Sequence, residues 1–206
     1  MTVKSRKLEQ SEATRAALIK TARKLFGRLG YAATDIETVA RRTRVTRGAL
    51  YHHFKDKRDL FSAVFDLEQQ KLAQIGAEAA GAALSGSGVW DGMLAATNAF
   101  LDACLDPAVQ RIVLIDALAV LGWERWREID AKYHLRLVMA ALQAAMDQGI
   151  IAPASVDSLA YLLMGAVTEA AIFIAHADDK PAARREVGHN VEQLLSGLRI
   201  DTRRKG

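Results

Sequence analysis

The amino-acid sequence predicts an all-α protein. Its 206 residues include only three prolines, so few positions forbid a continuing helix. Apolar residues come in long runs at helical spacing and rarely alternate as strand residues would. Half of the residues are apolar, enough to bury a sizeable core in one or two domains and too many for a disordered tail.

In the first helix, Leu18, Ala22, Leu25, Phe26 and Leu29 share one stripe, and Gly30 stands at the C-terminal cap position. Thr34 followed by Glu37 reads as a capping box that opens a second helix, running through Val39 and Ala40 to about Arg42. The stretch Thr43-Arg44-Val45-Thr46 breaks it, and Thr46 is placed to cap a short third helix, "RGALYHHF". Asp56 is a good cap for a fourth helix, with Asp59 in its first turn and Leu60, Val64, Leu67 and Leu72 carrying it onward. The Gly/Ser-rich stretch from Gly81 to Gly88 is expected to end that helix. Further helices are expected near 89–105, 107–121, 123–148, 155–177 and 181–198, with Asp106-Pro107 a sharp helix start.

Charge is unevenly distributed. Residues 1–60 hold 15 Lys and Arg against 6 Asp and Glu, a net of +9, and the remainder nets −5. That pattern fits a polyanion-binding head on an acidic body. The N-terminus is charged and lacks an apolar signal segment, and the single cysteine, Cys104, has no internal partner for a disulfide. Both point to the cytoplasm. One stretch, 159–177, is long and apolar enough to span a membrane, but Thr168, Glu169 and His176 interrupt it. A buried bundle helix is the better reading.

A helix-turn-helix needs a small residue where its helices cross, apolar residues binding the pair, and a turn between them. Ala40 supplies the first, and Val39, Val45 and Leu50 the second. The second helix of such a unit enters the major groove while the first crosses the backbone. Arg47, Tyr51 and His52 are then left for DNA, and Gly48 lets the backbone approach closely. The segment "TDIETVARRTRVTRGALYHHFKDKRDLF", above all its Gly48 to Leu60 part, resembles the DNA-binding segment of the tetracycline-repressor (TetR) family of transcriptional regulators. With the first helix, the likeness covers about residues 12–62. Thr43-Arg44 stands where members of that family commonly have Ala-Gly, so Arg44 needs an unusual backbone conformation or a reshaped turn.

The resemblance implies an N-terminal three-helix DNA-binding domain, residues 1–60. A long helix joins it to a C-terminal helical domain, residues 61–206, that binds an effector and dimerises. Thr46 and Tyr51 offer hydroxyls to phosphates and Lys57 a cation. Arg47 is placed to read guanine and His52 a base edge. Thr34, Arg44 and Gly48 complete the expected DNA-facing set, and His53 and Phe54 read as packing residues.

The last two helices are expected to form a homodimer, because 159–177 is apolar almost all round and Val187, Val191, Leu194, Leu195 and Leu198 form a stripe. For an effector pocket, Phe100, Trp123, Trp126, His134, Met139 and Met164 are the candidate walls, with Met93 and Tyr133 beside them and Asp102, Asp116 or Glu169 as further polar anchors. Each of these also reads as ordinary core, and "LGWERWREID" equally as a solvated face or an interface. The expected effector is a largely apolar small molecule, since the body offers no convergent basic cluster for a phosphate.

No Gly-rich phosphate loop, metal-ligand cluster or Ser/His/Asp arrangement stands out. No cofactor, metal or membrane partner is therefore expected, and an enzyme is disfavoured. A dimeric repressor on a palindromic operator is the leading expectation, an activator of the same fold or a sequence-independent DNA binder the alternatives.

Overall fold

The computed structural model describes residues 3–200, except the side chains of residues 3–7 and Ser85. Among the described residues ten α-helices follow one another: α1 (Val3–Ala33), α2 (Ile36–Thr43), α3 (Arg47–His53), α4 (Lys57–Ser87), α5 (Val89–Ala103), α6 (Pro107–Val109), α7 (Ala117–Tyr133), α8 (Leu135–Asp147), α9 (Val156–His176) and α10 (Lys180–Ser196). A π-helical stretch, Gln110–Asp116, links α6 to α7. Among the described residues the only extended pairing is an isolated bridge between Ile151 and Arg199.

The chain forms two compact units, and their division differs from a simple cut at residue 60. One unit runs through Glu68 and takes in Pro107–Trp126, and the other comprises Gln69–Asp106 and the residues from Arg127 onward. Helix α4 belongs to both.

In the first unit, α1 packs on α2, on α6 and on the π-helical stretch. Phe26, Tyr31 and Phe61 form an aromatic cluster, with Phe26 and Phe61 edge to face at 5.1 Å. Gly27 is needed for the α1–α6 approach, because a Cβ there would collide with that of Ala108. Helix α1 kinks at Gly30, whose φ of 79° a side chain would resist. The chain beyond is tied down by Tyr31 N–H donating to Asp116 Oδ2 at 2.7 Å. Arg23 donates to both oxygens of the buried Glu68 at 2.8 Å, so a carboxylate in the core is matched by a fork of donors.

The start of α2 corrects an expectation. Asp35, rather than Thr34, is its N-cap, accepting from Glu37 N–H at 3.2 Å and Thr38 N–H at 3.0 Å. Those bonds stabilise the ionised Asp35 carboxyl and hold its pKa below the usual value. Thr34 is 1% exposed and donates its hydroxyl to Gly30 O. Competition for that hydroxyl by the α1 terminus moves the cap by one residue. Asp56 caps α4 as expected, accepting from Asp59 N–H at 2.8 Å while Asp59 accepts from Lys55 N–H.

In the second unit, α9 packs on α8 and α10, and α5 packs on α8, α9 and α10. The Gly/Ser stretch ends α4 as expected: the helix runs through Gly81 to Ser87, and Gly88, with φ 89°, makes the turn. Leu84 packs closely on α5, its Cγ only 3.2 Å from where a Cβ on Gly92 would stand. The kink at Gly122, φ 73°, falls in the expected gap between the 107–121 and 123–148 helices, but the expected 123–148 helix is interrupted at His134, between α7 and α8. Helix α9 has the length and composition to cross a membrane, but it carries the exposed Glu169 and lies against α8 and α10.

Candidate functional site

Helices α2 and α3 form the helix-turn-helix. Val39, Ala40 and Leu50 are buried between them and the rest of the unit, while Val45 is half-buried. The turn is made by Arg44, at φ 61° and ψ 38°, whose N–H bonds to Arg41 O while Val45 N–H bonds to Ala40 O. This closes the last turn of α2 in the manner glycine usually serves, with an arginine instead. Thr46 then caps α3, its hydroxyl oxygen accepting from Ala49 N–H at 3.1 Å.

Arg44, Thr46, Arg47, Gly48, Tyr51 and His52 are all exposed, so α3 presents them together with the turn before it. The Arg47 guanidinium lies 2.8 Å from Glu37 Oε1 and 5.5 Å from the Tyr51 ring centroid. Nothing lies within 4 Å of where a Gly48 Cβ would stand, so close approach of backbone to a partner is open there. Phe54 is buried beneath the Arg15 guanidinium, and His53 is half-buried beside it, its pKa lowered first by burial and then by the charges of His52 and Arg15. These two pack as expected. Lys57 has other commitments: its ammonium donates to Tyr31 O at 2.9 Å and Thr34 O at 3.0 Å, and sits 4.4 Å from the Tyr31 ring centroid. It caps the carbonyl end of α1. The buried Thr34 has no hydroxyl free for a phosphate.

A cavity of about 510 Å³ lies within the second unit, between α4, α5, α7, α8, α9 and α10. Phe100, His134 and Met164 line it, as does Met93. Trp123, Trp126 and Met139 do not, which corrects the expected pocket. The two tryptophans belong to the first unit, stacked at 5.5 Å, with Trp123 60% exposed. Of the other anchors considered, Asp116 is bound to Tyr31 and Arg111, Asp102 pairs with Arg184 at 2.8 Å, and Glu169 is exposed. Tyr133 and these three are absent from the cavity wall. Asp130 lines the cavity and was missed. It lies one helical turn before His134, a spacing visible in the sequence.

At the cavity's polar end Gln69 bridges Asp130 and His134. Gln69 Nε2 donates to Asp130 Oδ1 at 3.2 Å, and Gln69 Oε1 stands 3.4 Å from His134 Nε2. Burial pushes the Asp130 carboxyl up to about 6, against the opposing pull of Arg127 and the Gln69 bond, and pushes the His134 imidazole down to about 4. The imidazole is therefore neutral near pH 7. Among the described residues no group of three His, Cys, Asp or Glu could hold a metal ion.

Residues 18–64 match the family described as bacterial regulatory proteins, tetR family, and residues 90–198 match the tetracyclin repressor-like C-terminal domain. The chain belongs to the TetR family. A TetR-family regulator from Pectobacterium atrosepticum, solved by crystallography, is 34% identical, with 94% of this chain covering 97% of that one at a TM-score of 0.81. The Tn10 TetC protein of Escherichia coli is 28% identical over 79% of this chain and 80% of its own. The probable acrEF/envCD operon repressor of E. coli is 39% identical over 62 residues, 30% of this chain and 28% of that protein. As a member of the TetR family, the chain is a DNA-binding transcriptional regulator and not an enzyme.

Proposed function

We propose that this TetR-family regulator is a dimeric, cytoplasmic repressor that binds a two-fold symmetric operator and is released by a small, largely apolar molecule held in the second unit's cavity. The observation that carries the reading is the exposed face of α3, where Arg47, Tyr51 and His52 project beside Arg44. One recognition helix per chain reads one half-site, so a dimer is required for a full operator. The exposed Leu162 and Phe173 of α9 and Leu194 of α10 supply an apolar surface for that pairing. A relative named as an operon repressor supports the sign of regulation.

In this reading Arg47 donates bidentately to a guanine and His52 reaches a base edge, while Arg44, Thr46 and Tyr51 hold phosphates and Gly48 admits the backbone. Glu37 keeps the Arg47 guanidinium extended until a base replaces it. Lys57 reaches a phosphate only by giving up carbonyl partners, so its contact is secondary. Thr34 is left out of the contact set because its hydroxyl is buried. The ligand acts by binding the DNA-free form more tightly, since equal affinity for both forms shifts nothing. The operator-bound form needs two recognition helices in register with successive major grooves, and a shift of α4, which is shared by both units, breaks that register.

Arg47→Ala tests the assignment of the reader. Affinity for the selected operator should fall by about 1–3 kcal/mol per half-site while affinity for random DNA changes far less. Equal losses on both DNAs, in titrations at one fixed salt concentration, would assign the reading to another residue.

A further inference from the structure

Most of the cavity wall is apolar, including Leu72, Met93, Phe100 and Leu163, and Asp130 is the one carboxylate among the described residues that line it. None of those lining residues is a lysine or arginine. Asp130 is 6% exposed, and its two bonds, 3.2 Å from Gln69 and 3.4 Å from Arg127, are long for hydrogen bonds to a charged acceptor. Arg127 is not on the cavity wall, and its guanidinium also stands 4.7 Å from the Tyr161 ring centroid.

Hydrogen-bond direction fixes the rest of the polar end. A carboxylate only accepts, so Gln69 must turn its amide NH₂ to Asp130 and its carbonyl oxygen to His134. That oxygen also only accepts, so His134 carries its proton on Nε2 and keeps Nδ1 as a lone-pair nitrogen. Thr97 gives its hydroxyl hydrogen to Met93 O at 2.9 Å. The Thr168 hydroxyl is the remaining side-chain hydroxyl on the wall. The polar side chains of the wall are together rich in acceptors and poor in donors. An anionic head group would meet a carboxylate and no cation. A protonated amine would donate to the carboxylate from the cavity side and add a cation to the long 3.4 Å ion pair that Arg127 makes with it.

We propose that the cavity takes an apolar molecule bearing one protonated amine, seated against Asp130. This rests on the reading of the cavity as the effector site. The raised pKa of Asp130 agrees, because it shows that burial costs the carboxylate more than Gln69 and Arg127 return.

Three probes with one tail and different heads, decylamine, decanol and decanoate, test it by calorimetry on the full chain at pH 7.5, each followed by a measurement of operator release. The amine should bind at least about ten-fold tighter than the alcohol, and the carboxylate most weakly. Asp130→Asn, confirmed folded by circular dichroism, should bring amine and alcohol within about three-fold of each other. The comparison on the unaltered protein stands even if that variant does not fold. Alcohol or carboxylate binding as tightly as the amine, with operator release, would overturn the amine assignment and leave the effector reading standing. Amine preference without operator release would support the site's chemistry and overturn the effector reading. No binding by any of the three would overturn both.

Discussion

Arg44 is the only non-glycine residue with positive φ among the described residues, at 61°, and a Cβ in that region costs about 1–2 kcal/mol. The sequence showed the conflict, since an arginine stands where the turn favours glycine, and the structure resolves it by keeping the turn. Arg44→Gly should therefore stabilise the protein by about 1 kcal/mol in denaturant unfolding, yet weaken DNA binding on all sequences and lower the salt slope by about one counterion per chain. An unchanged slope would mean that Arg44 meets no phosphate. Asp130 and His134 make a second residue-scale case. The folded chain protonates Asp130 more readily than the unfolded chain does, so this residue's contribution to stability improves as pH falls from about 6 towards the ordinary carboxyl value of 3.8. It protonates His134 less readily, so that contribution is lost as pH falls from the ordinary 6.5 towards about 4. The groups facing Asp130 are Arg127 on its own helix, Gln69 from α4 and, through Gln69, His134. The two effects oppose each other over nearly one pH window. Between pH 6.5 and 4.5, Asp130→Asn should lose stability more steeply than the parent, and His134→Asn less steeply. Parallel unfolding midpoints for all three proteins across that range would contradict this account.

Helices α9 and α10 each have a buried and an exposed apolar face. Leu195 is 3% exposed and lines the cavity, whereas its neighbour Leu194 is 53% exposed. On α9, Leu162 at 70% and Phe173 lie outside, three turns apart on one face with Gly165 and Glu169 between them. The apolar stripe on α10 was legible in the sequence, but periodicity could not say which members turn inward, because the stripe is wide enough to place Leu194 outside and Leu195 inside. Leu162→Glu and Leu194→Glu should give folded monomers by sedimentation, since an unpaired charge in an apolar helix pair is costly. Leu195→Glu should instead destabilise the fold. Folded dimers from both Leu162→Glu and Leu194→Glu would move the interface elsewhere. Most helix positions were legible from caps and stripes. One exception follows from tertiary competition: Gly30 O draws the Thr34 hydroxyl away from α2. The π-helical stretch Gln110–Asp116 has no signature in residue type, and the structure offers no local reason for it beyond its seating on α1.

At the scale of the whole molecule, charge was the clearest signal, since the basic excess of residues 1–60 coincides with the helix-turn-helix and its exposed arginines. The cavity was only half legible. Phe100, His134 and Met164 were recognised by type, but aromatic content alone could not show that Pro107–Trp126 folds with the first unit and takes Trp123 and Trp126 away from the cavity. The central claim is that two chains read one symmetric operator and that occupancy of the cavity ends the reading. The most direct test is mass measurement of the protein on a duplex carrying the selected operator, with either or both half-sites intact, before and after adding the amine probe. The account predicts two chains on the intact duplex, at least about a hundred-fold weaker binding when one half-site is scrambled, and free DNA after the probe is added. A single chain bound as tightly to one half-site, or an unchanged complex when calorimetry shows the cavity filled, would contradict it.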